Sequence, residues 1–239
     1  MKNKDFTFIL PAAGKSSRFK SKKSKIFYKY KNKVLISHVL EKCLNFTNNI
    51  AIVSNKKNLK ELKKNLLKYK KVKIKIFIQG KQLGMGHAID IALKKIKTKY
   101  SAVIWPDQIY LSENTIQKTI NHFLKKKCIL CFPVYEKHYP YVYIKNDSKN
   151  KFKDIIQTRE TNKIKRKGES DCGLFVFNTN LVRRNLKKLI KKKLIITDKT
   201  KEIDFLKSFK YLNKFSPIET IKATSLRDTI GVNFLKDLK

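Results

Sequence analysis

The stretch Phe6-Thr7-Phe8-Ile9-Leu10-Pro11-Ala12-Ala13-Gly14-Lys15-Ser16-Ser17-Arg18-Phe19, with Lys25 six residues further on, decides how the fold is read. An apolar run from Phe6 to Leu10 gives way to small residues and then to a polar, basic loop. The run has the length and composition of a buried strand. Small side chains at Ala12, Ala13 and Gly14 let backbone N–H groups approach a phosphate without obstruction. Ser16 and Ser17 add hydroxyl donors, while Arg18 and Lys25 add fixed positive charge. A strand running into such a loop sets it at the carboxyl edge of a sheet, where open α/β folds bind ligands. An ordinary strand-to-helix turn in a lysine-rich chain has the same composition, so these residues alone leave both readings open.

Outward from this strand, apolar periodicity alternates between helical and extended. Helical spacing covers Val34–Phe46, Asn58–Tyr69, His87–Ile96 and, with Ser112 as N-cap, a segment reaching Lys125. Strands are expected at Ile50–Val53, Val72–Ile78, Tyr100–Trp105 and Cys128–Val134. Few charges interrupt Tyr100–Trp105, as expected at the centre of a parallel sheet. The alternation predicts an α/β, Rossmann-like, mostly parallel sheet with helices on both faces. After residue 134 the rhythm changes. Tyr141–Lys145 and Phe152–Thr158 flank a turn-rich segment and predict a hairpin. Arg159–Glu169 reads as a charged loop or lid, Cys172–Phe177 as a strand, and Leu181–Lys193 and Glu202–Leu212 as helices. A last strand is expected at Glu219–Ala223, and a final helical turn after Asn233.

The 239 residues carry 57 Lys and Arg against 18 Asp and Glu, a formal net charge of +39. Such a charge invites a nucleic-acid reading. Only six of the basic residues are arginine, and lysine, isoleucine and asparagine are abundant together along the whole chain. That pattern fits a drift toward A/T-rich codons with lysine coating the surface. No stretch interleaves charge with aromatics as a strand-binding groove would, so nucleic acid is not an expected partner. No segment approaches eighteen consecutive apolar residues and no secretory signal is evident, so a cytoplasmic protein without a membrane span is expected. Cys128 and Cys131 form a C-x-x-C inside an apparent strand, where they would face opposite ways and could not grip one metal ion. Buried reduced thiols are expected instead.

The opening motif resembles the signature loop of the sugar-phosphate nucleotidyltransferases, roughly L-x-A-A-G-x-G-T-R-M followed by P-K. Ser16 replaces a glycine of that pattern and Ser24 its proline. Gln79-Gly-Lys-Gln-Leu-Gly-Met-Gly-His87 is similar to the Q-x-x-Q-L-G-T-G-H segment of N-acetylglucosamine-1-phosphate uridyltransferases. The resemblance implies that Gln79 and Gly84 contact the base. It also implies that Asp107, directly after a central strand, holds Mg²⁺, with Asn233 of Gly231-Val-Asn233 as second metal ligand. A carboxylate and an amide oxygen suit that hard cation.

On the acceptor side the match is looser. Gln157 stands where a glutamate usually holds sugar hydroxyls, Arg159 near a basic residue facing the sugar phosphate, and Asp171 for an acceptor-contacting asparagine. Tyr139-Pro140-Tyr141 lies where a glycine normally admits the sugar. The resemblance runs from Leu10 to Asn233. It implies a single nucleotidyltransferase (GT-A-like) domain over residues 1–239, with a nucleotide-binding half at 1–134 and an acceptor-binding half with a small β lobe at 135–239. The C-terminal acetyltransferase β-helix of bifunctional members has no counterpart in this sequence, so that activity is not expected.

The implied reaction joins a nucleoside triphosphate, UTP by the Gln79 segment, to a sugar 1-phosphate with release of pyrophosphate. Arg18 and Lys25 would be its catalytic cations. A cytidylyltransferase acting on a non-sugar phosphate is the near alternative. A basic nucleic-acid-binding protein on a degenerate transferase fold is the distant one.

Overall fold

A computed structural model of the chain describes residues 2–14, 24–70, 72–161 and 164–238. Strand β1 (Phe6–Pro11) lies inside the main sheet. It pairs in parallel with β4 (Asn49–Ser54) on one side and β6 (Tyr100–Ile104) on the other. β4 in turn pairs in parallel with β5 (Lys73–Ile78). Side chains alternate across β1: Phe6, Phe8 and Leu10 join one hydrophobic cluster and Ile9 the other. Burying each such side chain contributes about 1.5–3 kcal/mol. A two-stranded ribbon, β2 (Lys29–Tyr30) and β3 (Lys33–Val34), leads into the first helix.

The first cluster is closed by α1 (Leu35–Phe46), by Leu62 of α2 (Leu59–Leu66) and by α4 (Glu113–Lys125). The opposite cluster is closed by α3 (Met85–Leu93) and α6 (Thr179–Lys191). Helices therefore cover both faces, as the alternation predicts. Ser112 caps α4, accepting a 3.2 Å hydrogen bond from Thr115 N. β8 (Val142–Asn146) and β9 (Phe152–Gln157) form the expected hairpin.

The far side of the sheet departs from expectation. β7 (Leu130–His138) begins later and runs further than Cys128–Val134. It pairs in parallel with β12 (Ile218–Lys222) but antiparallel with β10 (Lys167–Asp171) and β11 (Leu174–Asn178). β11 also lies antiparallel against β6. The charge-poor Tyr100–Ile104 run thus has one parallel and one antiparallel neighbour. Its composition reflects burial on both faces rather than parallel pairing alone. Cys128 precedes the strand and packs with Cys131 against the same cluster, so the opposite-face argument does not apply to it. Burial pushes the Cys128 thiol up to about 11 and Cys131 higher still.

Two further expectations are corrected. Arg159–Glu169 is not one long loop: α5 (Thr158–Thr161) and strand β10 occupy its ends. Glu202–Leu212 is not one helix. Ile203 bridges Ile196, a 3-10 turn covers Leu206–Ser208, and only α7 (Phe209–Leu212) is α-helical. The Asp204 carboxylate accepts from Lys207 N at 3.0 Å, an N-cap that starts helical structure after residue 204. Phe205 and Phe209 then lock into an aromatic group with Phe132, Phe152 and Phe175, with ring centroids 5.1 to 6.3 Å apart. Among the described residues no helix is long and apolar enough to cross a membrane.

Candidate active site

The carboxyl ends of β1 and β6 lie side by side, so the chain leaving each meets the other. Asp107 follows β6, and Lys25 opens a 3-10 turn (Lys25–Phe27) that comes after β1 in the chain. Lys25 Nζ lies 2.5 Å from Asp107 Oδ2, with side chains only 18% and 15% exposed. The same ammonium donates to Val232 O at 3.0 Å and Asn233 Oδ1 at 3.1 Å. Three residues singled out from separate motifs thus converge on one point. A cavity of about 170 Å³ borders it, lined by Ala12, Gly14, Lys25, Met85, Trp105 and Asp107 among others. Ser16, Ser17 and Arg18 lie outside the described residues.

The C-terminal segment that brings in Asn233 is held at several points. Val232 N donates to Asp107 O at 2.9 Å. Asn233 N and Phe234 N both donate to Asp237 Oδ2 at 2.8 Å. Further back, the buried Asp228 carboxylate accepts from Ser112 N at 2.8 Å and from Thr115 Oγ1 at 2.6 Å. These bonds tie the Asn233 arm to the chain that follows Asp107. Oxygens of Asp107, Asn233 and Val232 already surround one cationic group. They are hard donors of the kind that hold Mg²⁺ through one or two protein ligands plus substrate phosphates. The donor set therefore fits that ion.

Around β1 the small residues divide their roles. Ala12 N donates to Val53 O at 2.7 Å, so its N–H belongs to the sheet and is not offered to a phosphate. Ala13 O accepts from Asn55 Nδ2 at 2.9 Å and Gln82 Nε2 at 2.5 Å, which pins the loop entrance. A groove from Gly14 to Gly80–Gln82 is edged by Lys56, Lys57, Lys60, Lys64 and Lys81. That edge would attract a polyanion.

Gln79 and Gly84 are brought together. Gln79 Nε2 lies 3.0 Å from Gly84 O and 3.1 Å from His87 Nδ1. A carbonyl oxygen only accepts, so the group facing it is the NH2 and the amide orientation follows. Gln79 Oε1 takes no partner among the described residues. His87 Nδ1 then accepts, which puts the ring proton on Nε2. Gly84 has φ +96°, and a methyl group there would lie 2.7 Å from Glu202 Cβ and Ile203 O. Only glycine fits at that contact. Ile203 N donates to Leu83 O at 2.7 Å and Gly86 N to Ile203 O at 2.8 Å. The second half of the chain therefore props up the Gln79 segment.

The acceptor-side candidates meet partners that the sequence did not signal. Gln157 Nε2 donates to Asp204 Oδ2 at 2.7 Å. Arg159 lies among Glu160 (3.4 Å), Asp204 (3.4 Å) and Glu202 (3.9 Å), so its charge is answered by carboxylates. Asp171 is buried at the end of β10, its Oδ1 accepting from Gly173 N at 2.8 Å. Asn55, Gln82, Asp237 and Asp204 were not singled out. Gln82 stands inside the quoted motif and Asp237 four residues after Asn233, whereas nothing local marks Asp204.

Burial pushes the Asp171 carboxyl up from 3.8 to about 6, with the Gly173 N–H and the Lys137 charge acting the other way. Between those values the folded state holds the extra proton. Stability therefore falls as pH rises through that window, and the whole penalty remains above it. Asp171→Asn keeps an acceptor for Gly173 N and removes the charge. It is expected to stabilise the protein by about 1–3 kcal/mol at neutral pH and by nothing near the unfolded pKa. Thermal melts of both proteins across the acid range measure this, and a pH-independent difference would refute it.

Residues 8–170 match the family model described as the MobA-like NTP transferase domain. The bifunctional protein GlmU of Buchnera aphidicola subsp. Schizaphis graminum is 29% identical over 244 residues, covering 98% of this chain and 49% of that protein. GlmU of Thermosipho melanesiensis is 27% identical over 235 residues, covering 95% and 47%. The chain spans about half the length of the curated relatives it matches. A solved structure from Bacillus anthracis, described as a glucose-1-phosphate thymidylyltransferase, has a TM-score of 0.76 at 15% identity over 92% of this chain and 87% of that one. The 4-diphosphocytidyl-2C-methyl-D-erythritol synthase of Anaerococcus prevotii has a TM-score of 0.69 at 15% identity over 98% and 95%. At such identities these likenesses speak for the fold.

Proposed function

The chain belongs to the MobA-like NTP transferase family, and from that premise we propose that it moves a uridylyl group from UTP onto a sugar 1-phosphate, releasing pyrophosphate. The observation that carries this reading is the meeting of Lys25, Asp107 and Asn233 at the carboxyl edge of the sheet. An acceptor phosphate is ionised near neutral pH and attacks the α-phosphorus without a general base. The chain's task is then alignment and charge neutralisation. Asp107 and Asn233 would hold Mg²⁺, which when bound neutralises charge on the triphosphate. Lys25, and Arg18 of the same sequence motif, would supply positive charge to the phosphoryl oxygens. Ala13, Gly14, Ser16 and Ser17 would line the phosphates, with residues to 134 serving the nucleotide and the remainder chiefly the acceptor.

Support for the base choice comes from Gln79, whose NH2 is engaged by Gly84 O and whose Oε1 takes no partner among the described residues. Uracil offers an N3–H between two acceptors; cytosine has a lone pair at N3. Cytosine would set that lone pair against Oε1, a mismatch of roughly 1–3 kcal/mol or about ten- to a hundredfold in kcat/KM. Pyrophosphate release is to be measured with UTP and CTP against a panel of aldose 1-phosphates. UTP is expected to lead by at least that factor, with dTTP partly accepted because it shares the same edge. CTP equal to or better than UTP would overturn the assignment in favour of a cytidylyltransferase.

A further inference from the structure

Gln157 is neutral where a carboxylate was expected, yet a carboxylate lies directly behind it. Asp204 Oδ2 accepts from Gln157 Nε2 at 2.7 Å, and the Asp204 side chain is only 6% exposed. Asp204 cannot readily shift. Its Oδ1 caps Lys207 N at 3.0 Å, its own N–H donates to Ile195 O at 2.8 Å, and Phe205 next to it is fully buried in the aromatic group. Ile203, on the other side, is paired with the Gln79 segment through Leu83 and Gly86. The segment thus joins the base-reading loop to the end of β9.

We propose that Asp204 is a positioning and specificity-determining residue of the acceptor site, which holds Gln157 with its NH2 inward so that only Oε1 faces the acceptor. The proposal rests on the reading of Gln157 as an acceptor-binding residue. An unsupported amide presents either a donor or an acceptor by flipping. A carboxylate can only accept, so it forbids one of the two orientations, and its charge further polarises the outward oxygen. Gln157 backed by Asp204 then behaves toward a ligand as a glutamate would, as a pure acceptor. The chemistry that complements it is a hydroxyl donor, so the pair selects polyhydroxylated phosphates. A phosphate ester whose far end is a quaternary ammonium offers no such donor.

The test is a double-mutant cycle with UTP, Mg²⁺ and N-acetylglucosamine 1-phosphate or glucose 1-phosphate, whichever the wild type turns over faster. Asp204→Asn retains a good N-cap but frees the Gln157 amide. Gln157→Glu sets two carboxylates face to face. Each single change is expected to raise the KM for the sugar phosphate about tenfold while leaving the KM for UTP within about twofold, as a lost hydrogen bond to a charged group predicts. Combining them restores a carboxylate–amide pair with its polarity reversed, and the acceptor KM should return to within about threefold of wild type. Additive single effects, or equal changes in both KM values, would overturn the role of Asp204 while leaving the transfer reaction standing. A wild-type protein that releases no pyrophosphate with either sugar phosphate would remove the transfer reading and this proposal together. Should Asp204→Asn melt too low to assay, recovery of both melting temperature and acceptor KM in the double variant supports the pairing. Absence of that recovery refutes it.

Discussion

Asp107→Asn is expected to lower kcat/KM by about three orders of magnitude, roughly 4 kcal/mol of transition-state stabilisation, with the fold intact. The substitution is isosteric and removes a charge. The backbone bond from Val232 N to Asp107 O survives it, and Lys25 keeps Val232 O and Asn233 Oδ1 as acceptors. Melting temperature should therefore fall by no more than about 4 °C. What is lost is the only charged protein ligand proposed for Mg²⁺, so the metal dependence should move to higher concentration along with the fall in turnover. Steady-state pyrophosphate release under Mg²⁺ titration reads both, and wild-type activity should vanish in excess EDTA and return on adding Mg²⁺. Wild-type activity of the variant at limiting Mg²⁺ would refute the assignment.

Lys25→Ala is expected to depress kcat by about a hundredfold while changing the KM for UTP by less than about fivefold. Charge accumulates on the phosphoryl oxygens and on departing pyrophosphate chiefly in the transition state, so a cation placed for it acts on kcat. Lys25 also gathers Asp107, Val232 and Asn233 around itself. Its removal leaves the Asp107 carboxylate without that partner and loosens the Asn233 arm, which adds a rise in the Mg²⁺ requirement. Lys25→Arg should rescue only in part, because a planar fork cannot reproduce a point contact with three oxygens. A loss confined to KM would show that Lys25 merely attracts the triphosphate.

Much of the architecture is legible because it is encoded over short distances. The alternation of buried Phe6, Phe8 and Leu10 with Ile9 follows from strand pleating, and the Ser112 cap from donors within one helical turn. The errors fall where a segment's state is set by distant partners. Lys167–Glu169 reads as part of a charged loop because its strand character comes from pairing with β7 rather than from its own composition. Glu202–Asp204 reads as the first turn of a helix, but pairing with Leu83 and Gly86 and the anchoring of Phe205 hold it extended.

The same division runs through the site. The sequence by itself determined the residue types and their motifs: the small-residue loop after β1, Lys25, Gln79, Asp107 and Asn233. Only the tertiary structure decided that Lys25 meets Asp107 across 82 positions and Asn233 across 208. It also turned the Gln79 amide and set Asp204, 47 positions away, behind Gln157. The physical reason is that a motif records which groups are available within a few residues. Which way an amide faces, and which charge answers it, depends on neighbours delivered by packing of the sheet and the aromatic group around Phe205.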